Sequence, residues 1–218
     1  MSTPADAPTA PVSDTARENL LATLRAVLGD RLLAEHLVPG DDLWIRVAGQ
    51  SWRDTARLLR DNCGLQYFCF LSAIDWLPSP FGRGEDDPTE PAPERDTTVR
   101  QGVTGGSTRF QLLVRLVHPA TFVGVTIKVD VPDDSLTLDS VCDVFGGANW
   151  HERETNEMFG IAFAGHPDMR KMYLPIDFEG HPLRKDFPLL ARMVKPWPGI
   201  VDVEPLPGGD NDEEGDAE

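Results

Sequence analysis

The 218-residue sequence is poor in cysteine. Cys63, Cys69 and Cys142 are its three cysteines, and no two of them form a Cys-x-x-Cys motif. This pattern does not fit a disulfide framework or a zinc ribbon, and an iron–sulfur cluster usually takes four thiolates. We therefore expect buried, reduced thiols in a cytosolic protein and no metal bound by this chain.

Positive charge and long apolar runs are also scarce. The chain has 20 basic and 36 acidic residues and a formal net charge of −16. Nucleic acids and anionic lipid surfaces repel such a chain, which excludes a nucleic-acid partner. The sequence shows no signal peptide, and its longest apolar run, near 68–74, is too short to cross a bilayer. We expect a soluble chain that reaches a membrane only indirectly, through a partner.

The sequence likewise lacks the common catalytic motifs. It contains no GxSxG, P-loop or GxGxxG pattern, and its HERET segment is not the HExxH of zinc proteases. A site that uses two carboxylates as acid and base is the enzyme alternative. The acids of the C-terminal half have basic neighbours in sequence, however, which favours their ionised form. We expect no catalytic residue in this chain.

The hydrophobic pattern predicts an α+β fold. Its sheet would have about four strands, mostly antiparallel, with helices on one face, followed by an extended irregular C-terminal arm. The predicted strands are 43–47, 65–74, 108–117 and 122–131. The predicted helices are 14–28, 51–59, 136–145 and 149–158, with caps at Ser13 or Asp14, Ser51 and Asn149.

Four segments follow from composition. Residues 1–13 are predicted to be disordered, and 14–149 form the scaffold domain. Residues 77–107, rich in Gly, Pro and acidic residues, form a disordered insertion within that domain. Residues 150–190 form a signature helix and docking arm, and 191–218 a tail that is Pro/Gly-rich and then acidic.

The segment from 150 onwards carries most of the functional information. Between His151 and Lys195 it has seven acidic and seven basic residues, interleaved with aromatic and aliphatic ones, which is typical of a surface that docks on another chain. A metal site is the alternative. It would draw its ligands from His151, Glu152, Glu154, Glu157, His166 and His181. Their spacing matches neither a zinc protease nor a di-iron bundle, so we expect no metal there.

Two motifs of this segment resemble a known family. The first runs from Glu152-Arg153-Glu154 through Glu157-Met158-Phe159-Gly160 and Gly165-His166-Pro167 to Arg170. The second is the block DFEGHPLRKDFP at 177–188. Both resemble the 30 kDa subunit of respiratory complex I, which is the C subunit of the bacterial NADH-quinone oxidoreductase. The resemblance covers about 14–190, with small departures at Glu157, Lys171 and Phe178.

The resemblance implies a non-catalytic scaffold in the peripheral arm of a proton-pumping electron-transport complex. It implies that the chain docks on the quinone-site (49 kDa-like) subunit, beside the terminal iron–sulfur subunit, at the cytoplasmic face of the cell membrane. No cofactor is expected in the chain itself, because FMN, iron–sulfur clusters and quinone belong to the partner subunits. The alternative is the equivalent subunit of a related membrane-bound hydrogenase, formate-linked or other-donor dehydrogenase complex.

Ten residues are the candidates for the subunit interface. They are Glu152, Arg153, Glu154, Glu157, His166, Arg170, His181, Arg184, Lys185 and Asp186. Each of them either pairs across the interface or braces the arm from inside the chain, and the sequence leaves both possibilities open.

Overall fold

The computed structural model describes residues 14–79, 94 and 96–187. The helices are α1 (Thr15–Leu28), α2 (Trp52–Asn62) and α3 (Ala148–Phe159). The strands are β1 (Leu32–His36), β2 (Leu43–Val47), β3 (Tyr67–Asp75), β4 (Phe110–Val117), β5 (Gly124–Asp130), β6 (Thr137–Asp139) and β7 (Ala162–Ala164). No helix of this described part is long and apolar enough to span a bilayer.

The main sheet has five strands in the order β1-β2-β5-β4-β3. Three of its pairings are antiparallel, and β2 pairs with β5 in parallel. The predicted α+β class and mostly antiparallel sheet are confirmed. The fifth strand is β1, which escaped prediction because it is a short edge strand with an irregular burial pattern.

One face of this sheet forms the core. Alternate residues of the central strands point to it and are buried. They are Leu43, Ile45 and Val47 in β2, Leu112, Val114 and Leu116 in β4, and Val125, Ile127 and Val129 in β5. Buried residues of all three helices join the same cluster, which fixes α3 against the sheet.

The helix ends follow the predicted chemistry only in part. Asp14 caps α1, since its carboxylate accepts the backbone N–H of Arg17 at 3.2 Å, and Gly29 ends the helix. Ser51 precedes α2 but makes no side-chain cap. The predicted cap at Asn149 is wrong, because α3 begins one residue earlier and Gly147 stands at its N-cap position.

The predicted helix over 136–145 is also wrong. Residues Thr137–Asp139 form β6, which pairs in parallel with β7, and the chain then turns until α3 begins. Leu136 has a φ of 47°, which a right-handed helix excludes. Short apolar runs are ambiguous between helix and strand, and here a strand distant in sequence decides the outcome.

Part of the predicted insertion contacts the sheet. Residues 96–107 differ from the predicted disorder, because Lys128 at the centre of β5 donates to the carbonyls of Val103 at 2.5 Å and Gly105 at 3.1 Å. Arg46 donates to the carbonyl of Thr104 at 2.9 Å. These cations hold the loop against the face of the sheet opposite the core. Residues 80–93 and 95 lie outside the described residues, as do 1–13, the end of the arm at 188–190 and the tail at 191–218.

Lys128 gives the stability of the protein a pH dependence. Its side chain is buried, and burial lowers the pKa of its ammonium group to about 8 from 10.5. Between these values the unfolded chain keeps a proton that the folded chain has released, so the free energy of unfolding rises with pH. We expect Lys128→Met to lose this rise in urea unfolding curves recorded between about pH 8 and pH 10.5. Parallel curves for the two proteins would contradict the assignment.

Candidate functional site: the signature helix and its arm

The candidate site is α3 together with residues 165–187, which we call the arm. The two sides of α3 have different environments. Ala148, Glu152, Thr155 and Phe159 share the buried side, at helical spacing. Trp150 lies on the opposite side and is exposed. The arm packs along α3 with little regular secondary structure of its own, so its position depends on specific bonds.

Glu157 holds the middle of the arm. Its carboxylate accepts the backbone N–H groups of Met172 at 2.9 Å, Tyr173 at 3.1 Å and Leu174 at 2.5 Å. Burial opposes ionisation of Glu157, but these three donors outweigh it, so the pKa of the carboxyl group lies below its usual value. Glu157 therefore stays ionised at neutral pH and fastens three consecutive peptide groups to the helix.

The second half of the arm caps the C-terminus of α3. His181 Nδ1 donates to the carbonyl of Glu157 at 2.9 Å, and the Leu183 N–H donates to the carbonyl of Met158 at 3.1 Å. Arg184 Nε donates to the carbonyl of Phe159 at 2.6 Å. These three carbonyls have no partner within the helix, and the negative end of the helix dipole favours the guanidinium group beside them.

Gly160 makes this cap possible. It has a φ of 75°, a left-handed conformation that ends α3 and suits glycine. A Cβ atom at this position would collide with Arg184 Nη2 and would lie 2.5 Å from His181 Nε2. The EMFG motif thus supplies both the carbonyl groups and the space that the GHPLR motif needs.

A buried ion network fastens the end of the arm to the sheet. Asp75, at the end of β3, accepts from Arg109 Nη2 at 2.7 Å and from the N–H of Lys185 at 2.9 Å. Arg109 also pairs with Asp186 at 3.0 Å. Burial raises the pKa of Asp75, but Arg109 and the backbone donors of Lys185 and Leu77 outweigh it, so the net shift is downward. The guanidinium group of Arg109 likewise lowers the pKa of Asp186.

The start of the arm is held by cations that bond to backbone carbonyls. Arg153 Nε donates to the carbonyl of Arg170 at 2.8 Å. Lys171 Nζ donates to the carbonyls of Pro175, Ile176 and Phe178 at 2.9–3.3 Å. The side chain of Arg170 pairs with Asp168 at 2.7 Å. Backbone carbonyls of the arm therefore find partners although the arm forms no helix or sheet there.

Glu152 lies on the buried side of α3 and braces the turn after β6. Its carboxylate accepts the N–H of Val141 at 2.7 Å and the thiol of Cys142 at 3.4 Å. Burial raises the pKa of Glu152, and hydrogen bonds from Ser140, Val141 and Cys142 offset part of the shift. This residue fixes the chain where the wrongly predicted helix would have been.

Possible metal-ligating atoms of Cys142, Glu152 and His166 lie within 4.8 Å of one another. Both nitrogens of His166 are hydrogen-bonded: Nδ1 accepts the N–H of Asp168 at 3.0 Å, and Nε2 donates to the carbonyl of Asn149 at 3.2 Å. Glu152 binds Val141 and the Cys142 thiol, as described above. The cluster is thus a hydrogen-bonded brace, and a metal ion would have to break these bonds.

The ten predicted interface residues divide by their contacts. Eight of them use their side chains within the chain: Glu152, Arg153, Glu157, His166, Arg170, His181, Arg184 and Asp186. Glu154 and the ammonium group of Lys185 make no hydrogen bond or ion pair with the residues that the structure describes. For the eight, the geometry favours internal bracing. Sequence reasoning missed Arg109 as a partner of the arm and noted Asp75 only as the end of a strand. A buried acid ending a strand signals that a cation lies near.

The comparisons with known proteins agree with the motifs. Residues 45–193 match the family described as the 30 kDa subunit of respiratory-chain NADH dehydrogenase. The NADH-quinone oxidoreductase C subunit of Roseiflexus castenholzii is 35% identical over 177 residues, which cover 80% of this chain and 86% of that protein. The corresponding protein of Azoarcus sp. (strain BH72) is 35% identical over 175 residues, covering 79% and 76%.

Two solved structures share the fold. A trypsin-resistant fragment (1–134) of Nqo5 covers 70% of this chain and 98% of the fragment, with a TM-score of 0.50 and 24% identity. A chain of the membrane-bound sulfane sulfur reductase, an archaeal respiratory membrane complex, has a TM-score of 0.58 and 22% identity. It covers 82% of this chain and 88% of that one.

Gly160→Ala tests the cap at the end of α3. The strain of a left-handed alanine costs about 1–3 kcal/mol, and the clash with Arg184 and His181 adds to it. We expect the arm amides to exchange hydrogen faster and the midpoint of urea unfolding to fall. Gly165→Ala is the matched control, because Gly165 has a φ of 81° but no atom within 4 Å of the added Cβ. Equal effects of the two variants would show that the contacts with Arg184 and His181 do not matter.

Proposed function

Because the chain belongs to the family of the 30 kDa subunit of respiratory-chain NADH dehydrogenase, we propose that it is a scaffold subunit of a proton-pumping NADH-quinone oxidoreductase. In this proposal it docks on the quinone-site (49 kDa-like) subunit in the peripheral arm of the complex, beside the terminal iron–sulfur subunit, at the cytoplasmic face of the membrane. The chain itself does no chemistry. FMN, iron–sulfur clusters and quinone belong to its partners, which carry electrons from NADH to quinone.

The observation that carries the proposal is the rigid bracing of an irregular arm. Residues 165–187 are fixed to α3 by Glu157, His181 and Arg184, and to the sheet by Asp75 and Arg109. Long irregular segments in compact domains usually serve binding or catalysis. An arm fixed at so many points presents a defined surface, and binding to it requires little further ordering.

The charges of the site support docking over catalysis. A general acid or base needs a pKa near the working pH and an atom that is free to exchange a proton. The oxygens of Glu157 and Asp75 are occupied by N–H donors, and the pKa of each carboxyl group is lowered. These groups therefore act as fixed anions that hold backbone in place.

The equivalent subunit of a sister complex is the alternative. The archaeal sulfane sulfur reductase chain, at 22% identity, supports a shared fold only. The relatives with 33–35% identity are named as C subunits of NADH-quinone oxidoreductase, which favours the NADH-fed complex.

Assembly of the complex tests the proposal together with the role of the cap. On native gels of gently solubilised membranes we expect the chain to migrate with flavin, iron–sulfur and antiporter-like subunits in a band that stains for NADH dehydrogenase. Arg184→Ala removes the cation from the helix end and should lower the amount of chain in that band by more than half. Arg100→Ala is the matched control, since Arg100 is 76% exposed and pairs only with Asp96 in the described residues. Glu213→Ala, in the acidic tail outside the described residues, should also leave assembly unchanged.

Mass spectrometry of the band separates the outcomes. Nickel–iron hydrogenase subunits in place of the NADH-oxidising ones would move the chain to a sister complex. A wild-type chain found alone in the soluble fraction would contradict the scaffold proposal. If wild type assembles and Arg184→Ala assembles equally well, the cap has no part in docking.

A further inference from the structure

The outer side of α3 and the arm carries a row of exposed apolar side chains. Trp150 is 63% exposed, Tyr173 60%, Ile176 94% and Leu183 52%. They are four of the nine large apolar residues that are exposed in the described part of the chain. Single exposed apolar residues are ordinary, but a group of them on one surface marks an interaction site.

Helix geometry and backbone bonds place these side chains side by side. Trp150, Glu154 and Glu157 share one side of α3 at spacings of four and three residues. The carboxylate of Glu157 binds the N–H of Tyr173, and the N–H of Leu183 binds the carbonyl of Met158. The row therefore follows the helix from its first turn to its last.

Glu154 lies within this row and is half-buried. It makes no hydrogen bond or ion pair with any residue that the structure describes, whereas Glu152 and Glu157 on the same helix are bonded. A carboxylate that becomes fully desolvated without a partner is strongly unfavourable. A surface that covers the row must therefore bring a cation to Glu154.

We propose that the outer face, defined as Trp150, Glu154, Tyr173, Ile176 and Leu183, is the contact surface for another protein subunit. That subunit presents an apolar surface with one arginine or lysine that pairs with Glu154. The inference rests on the proposed scaffold function and deepens it, because it separates the residues that touch the partner from those that brace the arm.

Charge favours this occupant over two others. An anionic lipid surface would repel Glu154 and gain nothing from the row. A second copy of this chain, related by two-fold symmetry, would bring the same face against itself and with it a second unpaired carboxylate. A protein surface that offers a cation satisfies both the apolar residues and the acid.

Photo-crosslinking locates the partner in the assembled complex. A photoreactive amino acid replaces Ile176 in the full chain, and the complex is purified after illumination. We expect a crosslink to another subunit, within reach of an arginine or lysine of its sequence. The same replacement at Leu33, which is 47% exposed on the edge strand β1, is the control and should give no such product. A product that joins two copies of this chain, or no product at position 176, would overturn the inference.

Glu154→Gln tests the charge. Gln keeps the shape of the side chain, and Glu154 has no partner within the described residues, so the variant should fold like wild type. We expect the chain to dissociate from the purified complex about thirty-fold more readily, the change that corresponds to losing one partner of a desolvated pair. Glu18→Gln, at an exposed position in the first turn of α1, is the matched control.

The contact surface and the scaffold function fail in different ways. If wild type assembles but Glu154→Gln and Glu18→Gln dissociate alike, the outer face is not the contact and the scaffold function stands. If wild type does not migrate with the complex at all, the scaffold function itself fails.

Discussion

The structure of the arm depends on how the last carbonyl groups of α3 are satisfied. A helix leaves these groups without partners, and here an imidazole, a backbone N–H and a guanidinium group, all from residues 181–184, bind them. The cap needs a residue that ends the helix in the left-handed conformation and leaves room for two side chains. Gly160 meets both requirements. The two signature motifs, more than 20 residues apart in sequence, are therefore two halves of one contact.

Further anchors extend this cap into a continuous attachment. Glu157 holds the middle of the arm by three peptide groups, and the Asp75–Arg109–Asp186 network holds its end against the sheet. Each anchor joins a charged group to backbone or to an opposite charge in a partly buried place, where such bonds are stronger than at the surface. The charge balance of the segment follows from this arrangement, because its acids and bases mostly serve one another or the backbone.

Part of the fold could be predicted from the sequence. The regular alternation in β2, β4 and β5 and the caps of α1 indicated the class of the fold, since those signals are local. The strand β6 was missed because its partner β7 and its anchor Glu152 lie 20 or more residues away or across a turn. The loop at 102–106 was taken for disorder because its order comes from Lys128 and Arg46, which composition does not reveal.

The candidate site shows the same division. Motif resemblance singled out the residues correctly as a group, but spacing alone did not tell braces from contacts. The bonds of Glu157 and Arg184 identify them as braces, whereas Glu154 is distinguished by the partner it lacks within the described chain. Only the three-dimensional pairing separates two acids that lie three residues apart on one helix.

Hydrogen exchange of the isolated wild-type chain tests the central claim, that the arm is built by internal contacts before any partner binds. The amides of Met172, Tyr173, Leu174 and Leu183 are the informative ones, because each donates to α3. We expect them to exchange at least a hundred-fold more slowly than an unstructured peptide, as about 3 kcal/mol of local stability requires. Exchange at the unstructured rate in the isolated chain, with protection only in the assembled complex, would show that the arm folds on its partner and would contradict the claim.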